Sequence, residues 1–203
     1  MDATILRVGQ LCGSSEDGSW AMSESEWVPT LVKASVSVGC MPALEGVSHS
    51  AYLQFAFEML TKHYFQVVSW LPKRAATQAI VDVLTCPPGY ALPVVNIVHP
   101  QHVSAREVLE AINAELDVQL PFVSPAEWAA KVQELADSSI DSERLRAIAV
   151  GAADVAAPYE LGGHPLFETA KAKRVSPTLA GLRPLGQHDV HAWVRAWREG
   201  GYL

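Results

Sequence analysis

Residues 92–116, LPVVNIVHPQHVSAREVLEAINAEL, decide the fold class of this chain. Residues 92–98 are apolar and rich in β-branched side chains, which predicts a strand buried in a sheet that ends at His99. Ser104 followed by Glu107 has the spacing of a capping box and predicts an amphipathic helix. The stretch therefore predicts a strand followed by a helix, the unit from which α/β proteins are built.

The same alternation continues on both sides of this stretch. Residues 3–11, ATILRVGQL, predict a first buried strand. Ser23 with Glu26 predicts a capped helix that ends at Gly39. Further elements are predicted as helices at 75–84, after Ser124, around 142–150 and at 190–198, and as a weaker strand at 118–123. We therefore expect an α/β protein in which residues 1–123 carry the strands and residues 124–203 form a mostly helical cap.

The amino-acid composition indicates which classes of binding partner to expect. The chain has 203 residues, is 49% apolar and carries a formal net charge of −7, so we expect neither a nucleic acid nor a membrane surface as partner. Its three cysteines form no disulfide framework and no CxxC pair. Without a recognisable signal peptide or membrane-spanning segment, the predicted location is the cytoplasm.

Five blocks in order resemble the C-terminal half of the thioester reductase domain of fungal adenylate-forming reductases, which are also called aminoadipate reductase-like or carboxylic acid reductase-like enzymes. The carboxyl end, FETAKAKRVSPTLAGLRPLG followed by WVRAWREGGYL, is also similar to theirs. The five blocks are LRVGQLCG (6–13), SESEWVPTLVKAS (23–35), SWLP (69–72), VVNIVHPQHVS (94–104) and PAEW (125–128).

The resemblance implies an incomplete Rossmann-like fold of the extended short-chain dehydrogenase/reductase type, with a helical substrate-binding cap. It implies a reaction in which NADPH reduces an acyl thioester, held on the phosphopantetheine arm of a carrier domain, to an aldehyde or alcohol. It also implies upstream carrier and adenylation domains as partners.

Three features that this chemistry needs are absent from the sequence. No glycine-rich turn leads from a strand into a helix to receive the pyrophosphate. None of the five tyrosines has a lysine at the fourth following position to lower its pKa, and the earlier strand that bears a Ser or Thr hydroxyl is also absent. The resemblance places all three before residue 6. We therefore expect no catalytic residue, no tight NADPH binding and no reductase activity in this chain alone.

Two other functions stay open on the residues. The chain could come from another extended short-chain reductase or epimerase that acts on a free small molecule. It could also be a non-catalytic binding module, which would need a partner for the exposed flank of its first strand.

The resemblance also implies two groups of ligand-facing residues, each with a plainer structural interpretation. The first group would pass the nicotinamide ring, or would simply be a strand end with a tight bend. The second would line the acyl or pantetheine channel, or would belong to the core. The first group is Gly9, Gln10 and Leu11, and the second is Trp27, Trp70, Leu71 and Pro72.

Two histidine pairs, His99 with His102 and His188 with His191, have spacings that a metal could use. No further ligands recur nearby, so we expect turn or surface histidines and no metal site. Cys12 has no adjacent base in the sequence, which favours a small buried thiol over a nucleophile.

Two clusters of cations stand out in this acidic chain. Lys73 and Arg74 follow SWLP, where the family has an apolar residue and an aspartate, and they place positive charge at the positive end of a helix dipole. Lys171, Lys173 and Arg174 form a short basic run, which we interpret as a solvated face, with docking of an acidic carrier domain as the alternative.

Residues 47–66, VSHSAYLQFAFEMLTKHYFQ, have no counterpart in the family pattern. Val47-Ser48 can be encoded as GTGAGT and Phe65-Gln66 as TTTCAG, which resemble the two ends of an intron. One hypothesis is therefore a short intron that is read through in frame. The alternative is a real inserted amphipathic helix, because apolar residues recur at helical spacing.

Overall fold

The computed structural model describes residues 3–13, 26–44, 67–87, 93–137 and 166–203. Within these ranges the strands are β1 (Ile5–Val8), β2 (Leu11–Cys12), β3 (Met41–Pro42), β4 (Val67–Val68), β5 (Leu71–Pro72), β6 (Val94–Ile97), β7 (Val103–Ser104) and β8 (Phe122–Val123). The helices are α1 (Trp27–Val38), α2 (Lys73–Leu84), α3 (Ala105–Glu115), α4 (Pro125–Asp137), α5 (Ala170–Val175), α6 (Pro177–Ala180) and α7 (Gln187–Glu199). The prediction of an α/β fold is confirmed.

The strands pair across long separations in sequence. β1 runs parallel to β6, with Ile5 opposite Val94. β2 is parallel to β5, and β3 is parallel to β8. β4 pairs with β7 in the antiparallel direction. The parallel pairs match the strand and helix alternation that the sequence predicts.

The predicted buried strand over residues 3–11 is wrong in two respects, because the structure divides it into β1 and β2 and leaves most of β1 exposed. Gly9 still donates its N–H to Ile97 O at 3.0 Å. A Cβ at Gly9 would lie only 2.7 Å from Val98 Cγ1, so the chain passes β6 too closely for any side chain. After Gln10 it turns away from β6, and Leu11 pairs with Leu71 of β5.

The buried side chains form two clusters. The larger lies among α1, α3, α4 and α7, and the smaller lies where α2, α5 and α6 pack around β6. Among the described residues, four tryptophans are fully buried and, because each removes a large apolar surface from water, they dominate the described interior. They are Trp70, Trp128, Trp193 and Trp197.

The observed helix ends can be compared with the capping residues that the sequence predicts. Gly39 ends α1 in the left-handed conformation with φ of 71°, as predicted. Ser124 Oγ accepts the Glu127 N–H at 3.1 Å, which confirms the cap of α4. The predicted capping box of α1 is wrong at Glu26, which is itself the N-cap residue rather than the third residue of the helix.

α2 begins directly at Lys73, two residues before the predicted start at residue 75. Its first turn holds no acidic residue, so the cations stand at the positive end of the dipole as expected. Near its other end, Asp82 accepts hydrogen bonds from Ser176 Oγ at 2.7 Å and Thr178 N at 3.1 Å. The pKa of Asp82 is lowered because these bonds outweigh the opposing effect of burial.

The carboxyl end of the chain packs on α1. Tyr202 donates its N–H to Trp197 O at 2.8 Å. Its hydroxyl lies 3.2 Å from Thr30 Oγ1, and Lys33 Nζ lies 4.6 Å from its ring centroid. These contacts fix the last residues against the first helix.

Two predictions fall outside the described residues. They are the segment 47–66 and the helix around 142–150.

Candidate functional site

Three backbone segments meet at the carboxyl ends of β1 and β6. Gly9 and Gln10 leave β1, Val98 and His99 leave β6, and residues 69–72 run alongside them. His99 N donates to Ser69 O at 3.1 Å, and Leu71 N donates to Gln10 O at 2.8 Å. In open α/β sheets ligands bind outside the carboxyl ends of the strands, so this edge is the candidate site.

Gln10 is the most connected side chain of the site. Its Oε1 accepts the Trp27 Nε1–H at 3.2 Å, and its Nε2 donates to Glu26 Oε2, also at 3.2 Å. The same Nε2 lies 2.9 Å from Leu11 O. The amide group of Gln10 therefore joins the loop after β1 to the start of α1.

A row of three indole rings runs inward from this point. The ring centroids of Trp27 and Trp70 lie 5.8 Å apart in a T-shaped arrangement, and those of Trp70 and Trp193 lie 6.2 Å apart. Trp193 Nε1 donates to Gly13 O at 2.8 Å. Trp27 is half-buried, whereas Trp70 and Trp193 are fully buried, so Trp27 is the ring of this row that reaches the surface.

The structure brings the two predicted groups of ligand-facing residues together. Five of the predicted residues are half-buried and border the site: Gly9, Gln10, Leu11, Trp27 and Pro72. Trp70 and Leu71 are fully buried and support it from beneath. Their roles in binding stay predictions.

Cys12 lies under the site as a buried thiol, as predicted. Burial raises the pKa of the Cys12 thiol well above its ordinary value, and Asp189 raises it further, while Lys73 acts in the opposite direction. The thiol therefore stays protonated and is a poor nucleophile.

His99 is fully buried, which corrects the expectation of a turn or surface histidine as far as its exposure is concerned. Its Nδ1 accepts the Gln101 N–H at 3.1 Å, and Nε2 lies 3.0 Å from Arg183 O. Because Nδ1 accepts, Nε2 carries the proton and donates it. Burial lowers the pKa of His99, so the neutral ring joins β6 to the segment before α7.

The last helix is oriented by a buried carboxylate that the sequence did not single out. Asp189 accepts two hydrogen bonds from Arg183, both at 3.1 Å, and a third from Gly186 N at 3.0 Å. It is 3% exposed, so its charge is satisfied by these donors. The bonds fix the start of α7, which carries Trp193 to the site.

A separate groove of about 390 Å³ lies between α3 and the start of α7. It shares no lining residue with the strand-edge site and holds Glu107 and Glu110 at its rim. Glu110 forms an ion pair with Arg106 at 2.6 Å.

Among the described residues, no group of three or more His, Cys, Asp or Glu side chains could hold a metal ion. In the same part of the chain, no helix combines the length and apolar character that crossing a membrane requires.

Solved reductase domains have a similar fold. A terminal reductase domain of the myxalamid synthase pathway superposes with a TM-score of 0.68 at 18% identity, over 98% of this chain and 45% of that one. A reductase domain of a nonribosomal peptide synthetase from Mycobacterium tuberculosis gives 0.63 at 15% identity, over 98% and 46%. The Rossmann-like fold of such domains is therefore shown.

Proteins that are similar to the chain in sequence include adenylate-forming reductases. Adenylate-forming reductases Nps11 and Nps9 of Serpula lacrymans are 30% and 32% identical, over 99% and 97% of this chain. The resemblance to adenylate-forming reductases is confirmed. A 3-methylorcinaldehyde synthase of Sarocladium schorii is 27% identical over 99% of the chain. No family model matches the chain. The chain spans 18% of the length of either Serpula relative.

Sequence reasoning named Gln10 but missed Trp193 and the hydrogen bonds that connect the site. Trp193 lies on an amphipathic stripe with Val190, Val194 and Trp197, so its burial could have been predicted from the spacing. The hydrogen bond of Trp193 to Gly13 and those of Gln10 depend on how distant segments pack, so no local sequence pattern predicts them.

Proposed function

We propose that this chain forms the acyl-binding, carboxyl-terminal part of a thioester reductase domain that releases a carrier-bound acyl group as an aldehyde or alcohol. The observation that carries the proposal is the meeting of Gln10, Trp27 and residues 69–72 at the carboxyl ends of β1 and β6. Confirmed similarity to adenylate-forming reductases supports it.

The residues present suit one end of the cofactor. Glu26 Oε2 and Leu11 O already accept the two N–H donors of the half-buried Gln10 amide. Gln10 Oε1 keeps a second lone pair beside its bond from Trp27, so it can accept from the carboxamide of a nicotinamide ring that passes Gly9 and Leu11. No glycine-rich turn in the sequence suits the pyrophosphate. In a complete domain NADPH would supply hydride-transfer chemistry for reducing a thioester, and Gln10 with the neighbouring backbone would hold its nicotinamide end.

The chain's own residues would bind and orient the acyl group. The half-buried Trp27 ring offers an apolar wall, and the buried Trp70 holds that ring from behind. Proton donation to the carbonyl oxygen would come from outside this chain, because the sequence has no tyrosine followed four residues later by lysine. We therefore infer that the chain alone is inactive.

The outer edge of β1 is where the rest of such a domain would join. β1 pairs only with β6 among the described residues. Ile5 and Val8 on this strand are 59% and 46% exposed, although both are apolar. An uncovered apolar edge favours pairing with another strand.

The test is an assay of NADPH oxidation with an acyl N-acetylcysteamine thioester. The chain alone should oxidise NADPH no faster than a buffer blank. The chain purified together with the nucleotide-binding part of a reductase domain from an adenylate-forming reductase should form aldehyde. Oxidation by the chain alone would disprove its inactivity, and failure of every stable complex to form aldehyde would disprove the proposed function.

Partners and location follow from the same proposal. An upstream carrier domain would deliver the acyl group, and an adenylation domain would load it. The structure of a thiolation–reductase di-domain from an archaeal nonribosomal peptide synthetase, with a TM-score of 0.63 at 12% identity, superposes on this chain. The three free cysteines suit the reducing cytoplasm.

A further inference from the structure

We infer that Gln10 is a positioning residue that sets the angle of the Trp27 ring at the acyl wall and ties this ring to the loop that passes the cofactor. The inference rests on the proposed function, because it assigns a role to a residue of the same site. It adds that the loop after β1 and the Trp27 ring move together.

The hydrogen bonds of Gln10 leave its amide one orientation. Trp27 Nε1 can only donate, so it requires the amide oxygen at 3.2 Å. The Glu26 carboxylate can only accept, so it requires the amide nitrogen, also at 3.2 Å. The two neighbours at the start of α1 thus fix both ends of the same planar group.

The backbone of Gln10 is fixed by a different strand. Its carbonyl oxygen accepts the Leu71 N–H at 2.8 Å, and the following residue pairs in register with Leu71. A displacement of the loop after β1 would therefore move the acceptor of the Trp27 indole, and a displacement of the indole would pull on that loop.

Trp27 needs this restraint. Its ring is half-buried and meets the fully buried Trp70 edge to face, with centroids 5.8 Å apart. The Trp27 side chain packs against the core, and the edge contact with Trp70 does not by itself select one of its staggered rotamers. The hydrogen bond to Gln10 selects one of these orientations, and so determines which face an acyl group meets.

The structure offers a variant pair that separates positioning from mere packing. Gln10→Leu removes all three side-chain hydrogen bonds, with Trp27, Glu26 and Leu11 O. Gln10→Glu keeps an acceptor for Trp27 but places a second carboxylate against Glu26, which repels it. Adding Glu26→Gln returns a donor to the pair and restores the bond between residues 10 and 26 with its direction exchanged, while the bond to Leu11 O stays absent.

The experiment uses the whole chain labelled with 5-fluorotryptophan and observed by ¹⁹F NMR. The sequence has six tryptophans, and the resonance of Trp27 is assigned by its loss in Trp27→Phe. We expect Gln10→Leu and Gln10→Glu to shift or broaden the Trp27 resonance while those of Trp128 and Trp197 stay in place. Gln10→Glu combined with Glu26→Gln should return it toward its original position, because the bonds to Trp27 and residue 26 are both present again.

Gln101→Leu is the matched control, because it removes one glutamine bond, from Nε2 to Leu182 O at 2.8 Å, away from Trp27. It should leave the Trp27 resonance unchanged. An unchanged Trp27 resonance in Gln10→Leu, or no recovery in the exchanged pair, would overturn the inference whether or not any ligand binds.

Binding of S-benzoyl-N-acetylcysteamine, followed by the same resonance, separates this inference from the proposed function. We expect Gln10→Leu to weaken binding by about 2- to 10-fold, the effect of one hydrogen bond. No binding to the unaltered chain would count against the acyl wall itself. Equal binding by the unaltered chain and Gln10→Leu would overturn the role of Gln10 in positioning Trp27 for the acyl group.

Discussion

Replacing Gly9 by alanine should destabilise the chain through one steric contact. A Cβ at this position would lie 2.7 Å from Val98 Cγ1 and 3.5 Å from Val98 Cβ. Val98 is 1% exposed, and its β-branched side chain has few other rotamers that would relieve the contact with the added Cβ. The methyl group and the valine must therefore separate by a shift of backbone.

The expected magnitude follows from packing. Adding a methyl group to a filled interior costs about 1–3 kcal/mol. Val98→Ala alone should cost about 2 kcal/mol, because it removes two buried methyl groups and leaves a space. In the double variant the new methyl group enters that space, so the two losses should fall short of their sum by about 1 kcal/mol or more.

Urea unfolding of the four proteins measures these free energies directly. Gly181→Ala is the matched control, since a Cβ there would lie at an ordinary 3.5 Å from Pro177 O, and we expect a change within about 0.5 kcal/mol. The close approach of the two chain segments would be refuted if the losses in free energy of unfolding of Gly9→Ala and Val98→Ala simply added in the double variant. It would also be refuted if the Gly9→Ala protein were as stable as the original.

Three further predictions follow from other contacts. Ser35→Ala should lower the free energy of unfolding in urea by about 1–3 kcal/mol, because the fully buried Ser35 Oγ accepts the Trp128 Nε1–H at 3.0 Å. Ser37 is exposed, so Ser37→Ala is the control and should change this free energy little. Equal losses in the two variants would contradict the prediction. The pKa of His99 is lowered in the fold by burial, so the unfolded chain binds the proton more tightly and stability should fall as the pH drops below about 6.5. His99→Gln should lose part of that fall when unfolding is compared at pH values of about 7.5 and 5.5, and an unchanged pH profile would argue against it. Sequenced transcripts should mostly lack the codons for residues 47–66, and their retention in most reads would refute the intron hypothesis.

The parts of this fold that could be predicted from the sequence depend on local chemistry. The run VVNI of β6 and the amphipathic helix after Ser104 appear where periodicity places them. Gly39 and Ser124 end and begin helices for reasons contained within a few neighbouring residues. These features need no knowledge of the rest of the chain.

The features that could not be predicted depend on distant partners. The break of the first strand at Gly9 requires Val98, which no spacing within residues 3–11 reveals. His99 is buried because Arg183, 84 residues away, supplies its acceptor. The candidate site was predicted as two groups by resemblance, while the Gln10 bonds that join them became visible only in three dimensions.

The contacts of the carboxyl end set an order for folding during synthesis. Trp193 bonds to Gly13 across 180 residues, and Tyr202 reaches Thr30 across 172. At about 5–20 residues per second, the ribosome makes such a span in about 10–40 s. During that interval α1 can pack on α4 and β1 can pair with β6, but the row of indole rings lacks Trp193 and Thr30 lacks Tyr202. Newly made chains should therefore depend on chaperones until the last helix emerges.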